Sequence, residues 1–365
     1  MQTIFYQKTF GLRAINNLMW ILVICIISFS CRKNPFKALK DFNQVNLVAN
    51  NASYNATRVD PQFVNGWGMS FSPSGIAWIS ANENGLSEVW KTTGEQVIPA
   101  VTIPGPGDIA SGHPSGQVFN ATAGFKLSNG NPARFIFVTE DGTISGWNGG
   151  PGAVNAIDNS STAEYKGVTI ASDNGANFLY AANFTSKKVE VYDTNWTWVN
   201  KAFNDPGIPA SYGPFNVQNV GGMVYVMYAE VGPTGDEVDG AGKGYVDVFW
   251  PNGTLSKRLA SRGWLNAPWG VAQASSTFFD PDDPMSKIPN AILVGNFGDG
   301  HINVFSANGD FIGPLRSKNK PLAIDGLWAI SFAPATATTV NPNWLFFAAG
   351  PNHESDGLFG YITKE

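Results

Sequence analysis

The side chains with chemistry to offer are mostly oxygen donors set close to tryptophan. Asn65, Trp67, Asn216, Asn266, Trp269, Asp325 and Trp328 stand at or just before the start of short apolar runs, while Glu140, Asp141, Asn183, Asn296 and Glu354 stand just after others. Carboxylate and amide oxygens brought to one point would hold a hard divalent cation, Ca²⁺ or Mg²⁺, or the hydroxyls of a polyhydroxylated ligand. Three or more carboxylates gathered in this way repel one another unless a cation or hydrogen-bond donors intervene. Indole rings beside them would offer apolar faces to a sugar or another flat ligand, with the amides fixing its orientation. Each residue type also has a structural role. Asn at a chain corner tolerates left-handed backbone or closes a turn through its side chain, and Trp at regular intervals packs between repeated units.

Other chemistry is missing from the sequence. It holds no G-x-S-x-G elbow, no H-E-x-x-H pair, no phosphate-binding P-loop and no G-x-G-x-x-G opening a helix. The three histidines, His113, His301 and His353, limit acid–base work near neutral pH and imidazole ligation of metals. The two cysteines, Cys25 and Cys31, lie near the N-terminus, so the rest of the chain has no thiol nucleophile and no thiolate metal site. A net charge of −5 with no run of Lys or Arg argues against a nucleic-acid partner. DPDDP (residues 280–284) looks at first like an acidic calcium loop, but its prolines and missing D-x-D-x-D-G register suit an exposed turn. The insertion GPTGDEVDGAGKG, after Glu230, is long for a connection between strands, and long ordered loops often bind something.

The elements that must position these residues are strands. The chain has 365 residues with 40 Gly, 23 Pro and 35 Asn, and only 14% are charged, too few for helical surfaces. Its 25 Phe, 12 Trp and 10 Tyr supply a large aromatic core. A four-part unit recurs six times. An opening strand (WGMSF, AGFKL, KGVTI, FNVQN, WGVAQ, WAISF) is followed by a continuous apolar run (IAWISAN, RFIFVTED, FLYAANF, MVYVMYAE, AILVGNF, WLFFAAG). An alternating strand comes next (SEVWK, GTISGWN, KVEVYD, YVDVFW, HINVFS, LFGYI), then a turn and a weaker fourth strand. Units of four strands in about 50 residues predict an all-β, six-bladed propeller. The sixth unit ends after its third strand, so QVNLVAN (residues 44–50) is expected to supply its fourth and close the ring, removing an open edge.

Strand direction then gathers the polar residues. Within a blade, the entry to the first strand and the loop from the second to the third lie on one face of the disc. The entries bring Asn65, Trp67, Asn120, Lys166, Asn216, Asn266, Trp269, Asp325 and Trp328 to that face. The loops bring Asn82, Glu83, Glu140, Asp141, Asn183, Glu230, Asn296, Asp299, His353, Glu354 and Asp356.

The N-terminus reads as an export leader. Lys8 and Arg13 precede the apolar run LMWILVICIISF, which is short for a bilayer span, and Ser30–Cys31 follows it like a lipoprotein cleavage junction. Residues 1–31 are thus expected to be a lipoprotein-type signal peptide with Cys31 lipidated, 32–42 a tether, and 43–365 one propeller domain.

The blocks VNGWGMSF, FIFVTEDGTISGWN, PFNVQNVGG, LVGNFGDGHINVF, IDGLWAISF and ESDGLFG, spread over essentially the whole exported chain, resemble an uncharacterised bacterial family of exported six-bladed propellers. More distantly the pattern is similar to NHL-repeat and gluconolactonase-like propellers, which include both enzymes and binding scaffolds. The resemblance implies the fold and leaves activity open. Two functions are compatible with the residues. One is a monomeric, lipid-anchored binding or scaffold protein of the bacterial cell envelope that engages a protein, glycan or small ligand through the loop face at the channel mouth. The other is a metal-assisted hydrolase or lactonase with Glu, Asp and Asn oxygens around Ca²⁺ or Mg²⁺ at the channel. The leader assignment has a direct test: Cys31→Ser should abolish labelling by a palmitate analogue and release the chain from membranes, and labelling that survives the change rejects it.

Overall fold

A computed structural model describes residues 39–108, 111–275, 277–279 and 288–364. The leader, Cys31, most of the expected tether and DPDDP lie outside them. The described residues form a six-bladed propeller of antiparallel sheets. Its inner strands are Gly66–Phe71, Pro114–Phe119, Tyr165–Asp173, Tyr212–Val220, Pro268–Gln273 and Leu327–Phe332. Second strands such as Ala77–Ala81, Phe135–Thr139, Ile292–Asn296 and Leu345–Ala349 are buried at every residue. Each sheet packs on a neighbour on both sides, so its middle strands lose the alternation of a half-solvated strand and read as continuous apolar runs. The third blade has three regular strands, and its fourth is reduced to a bridge between Tyr192 and Trp198.

Blade two corrects the expected register. Its inner strand is Pro114–Phe119, PSGQVF, and AGFKL (residues 123–127) belongs to the connection that follows. The inner strand is poor in apolar residues because it lies against other backbones. A Cβ on Gly116 would stand 2.7 Å from the Cα of Gly167 on blade three. Asn120 therefore follows the inner strand instead of leading it, and its side chain bonds the carbonyls of Gly124 and Ala133.

One irregularity repeats in all six inner strands. The ladder slips between Gly66 and Met69, Pro114 and Gly116, Tyr165 and Gly167, Pro214 and Asn216, Pro268 and Gly270, and Leu327 and Ile330. Trp67, Ser115, Lys166, Phe215, Trp269 and Trp328 fall at these slips. A bulge re-aims the side chain it carries, and these six meet around the axis.

Beyond them, toward the opposite face, the inner strands enclose a cavity of about 230 Å³. Its polar groups bind blades to one another. The Gln117 side-chain amide donates to the Gly68 carbonyl at 2.8 Å, Asn216 to the Trp269 carbonyl at 2.9 Å, and the Asn219 backbone N–H to Thr169 Oγ1 at 3.1 Å.

The ring closes as expected. Phe42–Ala49 pairs antiparallel with Leu358–Lys364, from Phe42 opposite Lys364 to Ala49 opposite Leu358. Arg58–Val59 then adds a short parallel strand outside it. Docking begins earlier than the expected tether allows, because Leu39 and Phe42 are both fully buried and Phe42 packs on Phe278 with ring centroids 5.1 Å apart. Phe42→Ala should cost about 3–5 kcal/mol, read as a lowered denaturant midpoint. A loss below about 1 kcal/mol would show that the closing strand does not anchor the ring.

Candidate functional site

The three axial tryptophans close the channel. Trp328 is sandwiched between Trp67, at 3.7 Å, and Phe297, at 3.9 Å, while Trp269 meets it edge-on at 6.1 Å and Phe215 lies 5.6 Å away. All three indoles are buried. The Trp328 N–H donates to Asn65 Oδ1 at 3.0 Å and the Trp269 N–H to the Lys166 carbonyl at 3.1 Å. Trp328 is covered by rings on both faces, Trp67 lies between Trp328 and the Lys166 ammonium, and Trp269 borders the cavity between the inner strands, so the three together plug the axis.

Charge is layered on this plug. Lys166 is 2% exposed, and its ammonium bonds Glu140 at 2.5 Å and Glu164 at 2.7 Å. It also lies 5.3 Å from the Trp67 ring centre and 5.9 Å from that of Phe184. The other Glu140 oxygen accepts from Asn82 at 2.8 Å. Glu354 accepts from Asn65 at 2.9 Å. Burial pulls the Lys166 pKa down, but Glu140, Glu237 and Glu164 outweigh burial and hold it well above the usual lysine range. Burial, with the negative charges of Glu237 and Glu140, pushes Glu354 up to about 7, against the opposing pull of Lys166 and the Asn65 hydrogen bond. Glu237 is raised for the same main reason, burial, with Lys166 opposing. A carboxyl held near neutrality at a cavity wall can exchange a proton with a bound molecule.

Beside this layer opens a cavity of about 430 Å³ lined by Asp239, Phe297, Gly298, Asp325, Gly326, Gly350, His353 and Glu354. Its wall includes a left-handed turn, with φ of 57°, 52° and 65° at Asn352, His353 and Glu354. The Asn352 N–H donates to Asp325 Oδ2 at 2.9 Å and the Glu354 N–H to the Gly350 carbonyl at 3.1 Å, which hold that turn in place. Glycine at 350 is a spatial requirement, since a Cβ there would come within 2.1 Å of Asn65 Oδ1.

Two proteins of Acanthamoeba polyphaga mimivirus align with nearly the whole chain. Uncharacterized protein R648 is 31% identical over 352 residues, covering 91% of this chain and 83% of its own. Uncharacterized protein L690 is 31% identical over 340 residues, covering 88% and 86%. The chain belongs to their family. No model of an established family matches it. Among solved structures, a streptogramin B lyase superposes with a TM-score of 0.50 at 11% identity, covering 89% of this chain and 97% of its own. A gluconolactonase from Xanthomonas campestris gives 0.50 at 12% identity, covering 88% and 97%. At such identities the likeness is one of fold, and it agrees with the gluconolactonase-like propeller expected from sequence. The two relatives are viral, so the bacterial, exported setting implied by the resemblance is not supported by them.

The expected site residues divide into those the axis gathers and those it does not. Asn65, Trp67, Glu140, Trp269, Trp328 and Glu354 meet there, and Asp325 lines the cavity. Asn216 ties blade four to Trp269. Asn183 donates to Glu190 at 2.8 Å within blade three, and Asn266 accepts from the Gly240 N–H at 2.6 Å. Asn296 donates to the Trp264 carbonyl at 2.8 Å. Asp141 takes the His113 ring at 3.0 Å; burial pulls the His113 pKa down, and the Asp141 bond and charge carry it above its ordinary value.

Sequence reasoning left out Glu164, Glu237, Asp239 and Phe297, and saw Lys166 only as one strand entry among others. The available signals were that Lys166 is the only cation at a strand entry and that Glu237 and Asp239 lie in the long insertion. The divalent cation of the alternative reading is not favoured by the bonds its expected carboxylates make: Glu140 accepts from Lys166 and Asn82, Glu354 from Asn65, Asp325 from the Asn352 N–H, and Asp141 is bonded to His113. Among the described residues no group of three or more His, Cys, Asp or Glu is arranged for a metal.

Lys166→Met tests the lysine's role as counter-ion. It leaves Glu140 and Glu164, both partly exposed, without their cation, so the loss should be about 1–3 kcal/mol, measured by denaturant unfolding. Much of that loss should be recovered when Glu140→Gln and Glu164→Gln are added to Lys166→Met, and a loss that the glutamines leave unchanged would assign the lysine a packing role instead.

Proposed function

We propose that the chain is a binding propeller whose mouth cavity takes a small organic cation, a protonated amine carried on a polar or hydroxylated body. The observation that supports this reading is the charge of the cavity wall. Asp239, Asp325 and Glu354 line it, His353 is its one basic side chain, and Phe297 adds an apolar patch. The lysine behind it is already neutralised by Glu140 and Glu164. Glu354 is raised mainly by burial, with Glu237 and Glu140 adding to it; an incoming ammonium would oppose that rise as a counter-charge, and Phe297 would cover its apolar part. Placed on a lipid-anchored chain at a cell envelope, such a ring would act as a binding or scaffold protein through this face. The metal-assisted hydrolase reading is not better supported, since among the described residues no group of three or more His, Cys, Asp or Glu is arranged for a metal.

Calorimetry with matched pairs, glucosamine against glucose and benzylamine against benzyl alcohol, decides the matter. Binding of the amines alone, weakened at least about tenfold by Glu354→Gln with Asp325→Asn, is the expected result. Equal binding of the neutral partners, or no loss in the double variant, overturns the proposal.

A further inference from the structure

The third strands of five blades carry a polar residue at one equivalent rung. Glu88, Ser145, Glu190, Asp247 and Asn303 stand opposite Ile79, Phe137, Ala181, Val226 and Val294 of their second strands. Three of the five are carboxylates, and two of those have donors. Glu190 accepts from the hydroxyls of Tyr165 at 2.6 Å and Tyr192 at 2.7 Å and from the Asn183 amide at 2.8 Å. Asp247 is paired with the Arg258 guanidinium. Glu88 has none: it is fully buried, and neither of its oxygens has a partner among the described residues.

Its place is the seam where the ring closes. Strand neighbours Leu86 and Trp90, and Ile79 opposite, pack with Leu47 and Val48 of the closing strand and with Phe359 of the sixth blade. The charged groups that act on Glu88 are Asp60 and Arg58, both on the segment that follows the closing strand. The Arg58 guanidinium does not pair with it. It lies 5.1 Å over the Trp90 ring and reaches Gln96 Oε1 at 3.5 Å.

A carboxylate buried without donors cannot keep its charge cheaply. Burial pushes the Glu88 pKa up to about 7, with Asp60 adding to the rise and Arg58 opposing it.

We propose that Glu88 is a proton-operated latch on the closing seam: protonated, it packs as a neutral group between the first blade and the closing strand, and ionised, it loosens them. The direction follows from linkage. An acid that holds its proton more tightly folded than unfolded favours the folded state fully below its ordinary value of 4.5, and this preference is lost as pH rises through about 7. The seam is therefore tighter in mild acid than in mild alkali.

Hydrogen exchange on the full chain at about pH 6 and pH 8.5 tests this. In the wild type, protection of amides in Phe42–Ala49 and Leu86–Trp90 should fall about tenfold more than that of Met223–Val231, across the ring. In Glu88→Gln that excess should vanish. The same excess in Glu88→Gln, or an equal loss in every blade, overturns the latch. Should Glu88→Gln fail to fold, the ¹³C carboxyl titration of Glu88 in the wild type decides: a midpoint near 7 supports the latch, and one below about 5 overturns it.

Discussion

Six inner strands cannot meet on one axis with ordinary side chains in every position, and the structure is arranged around that limit. Just after the axial bulges stand Gly68, Gly116, Gly167 and Gly270. A Cβ on any of them would come within 2.4, 2.7, 1.9 and 2.8 Å of the neighbouring blade. Removing side chains there lets backbones touch, and the bulge one residue earlier turns a single side chain per blade toward the axis. Six residues thus reach the interior of the disc at this level from the inner strands, joined by Phe297, which stacks on Trp328 from a loop. Four are aromatic and form the plug, Ser115 bonds the Tyr165 carbonyl of the next blade at 2.5 Å, and the sixth is Lys166.

That one lysine sets the electrostatics of the face above. Without a cation, Glu140, Glu164, Glu237 and Glu354 would face one another beside buried aromatic rings with no opposite charge among them. With it, two are held as ion pairs. Glu354 is left without a cation of its own; burial first, and the charges of Glu237 and Glu140 after it, raise its pKa to about 7 although Lys166 and the Asn65 hydrogen bond oppose the rise. The left-handed turn at 352–354 brings Glu354 there. A backbone in that region is costly for three successive non-glycine residues, and it is held by the bonds its Asn352 and Glu354 N–H groups donate to Asp325 and to the Gly350 carbonyl.

Much of the fold could be read in the sequence, because propeller blades repeat their strands with enough regularity for the unit to be counted. The ring closure could also be read, from a missing strand at one end and an orphan at the other. The second blade misled because apolar content was taken as the mark of an inner strand. Near the axis that mark fails: PSGQVF is an inner strand because it is small and can bond across blades, while AGFKL is more apolar and lies outside the ladder. The site was legible in part for a similar reason. Position along a blade identifies which residues approach the axis, so Asn65, Glu140 and Glu354 could be named. It does not reveal their partners. Whether carboxylates meet a metal or an ammonium depends on which blade supplies the cation, and Lys166 could be recognised as that cation only once Glu140, two strands earlier, was seen to bond it.

This arrangement also explains why likeness of fold to a lyase and a lactonase carries so little about activity. The parts shared across propellers are the stacked sheets and the apolar second strands, which any chemistry tolerates. The parts that select a ligand are few: one bulged residue per blade and the loops from second to third strand. In this chain those positions produce an aromatic plug, a neutralised lysine and an acid-lined cavity. Replacing a small number of them would change the charge of the mouth without disturbing a blade. Function in this architecture is therefore argued from the axis outward, and here the axis presents an acid-lined mouth in front of a lysine already paired with Glu140 and Glu164.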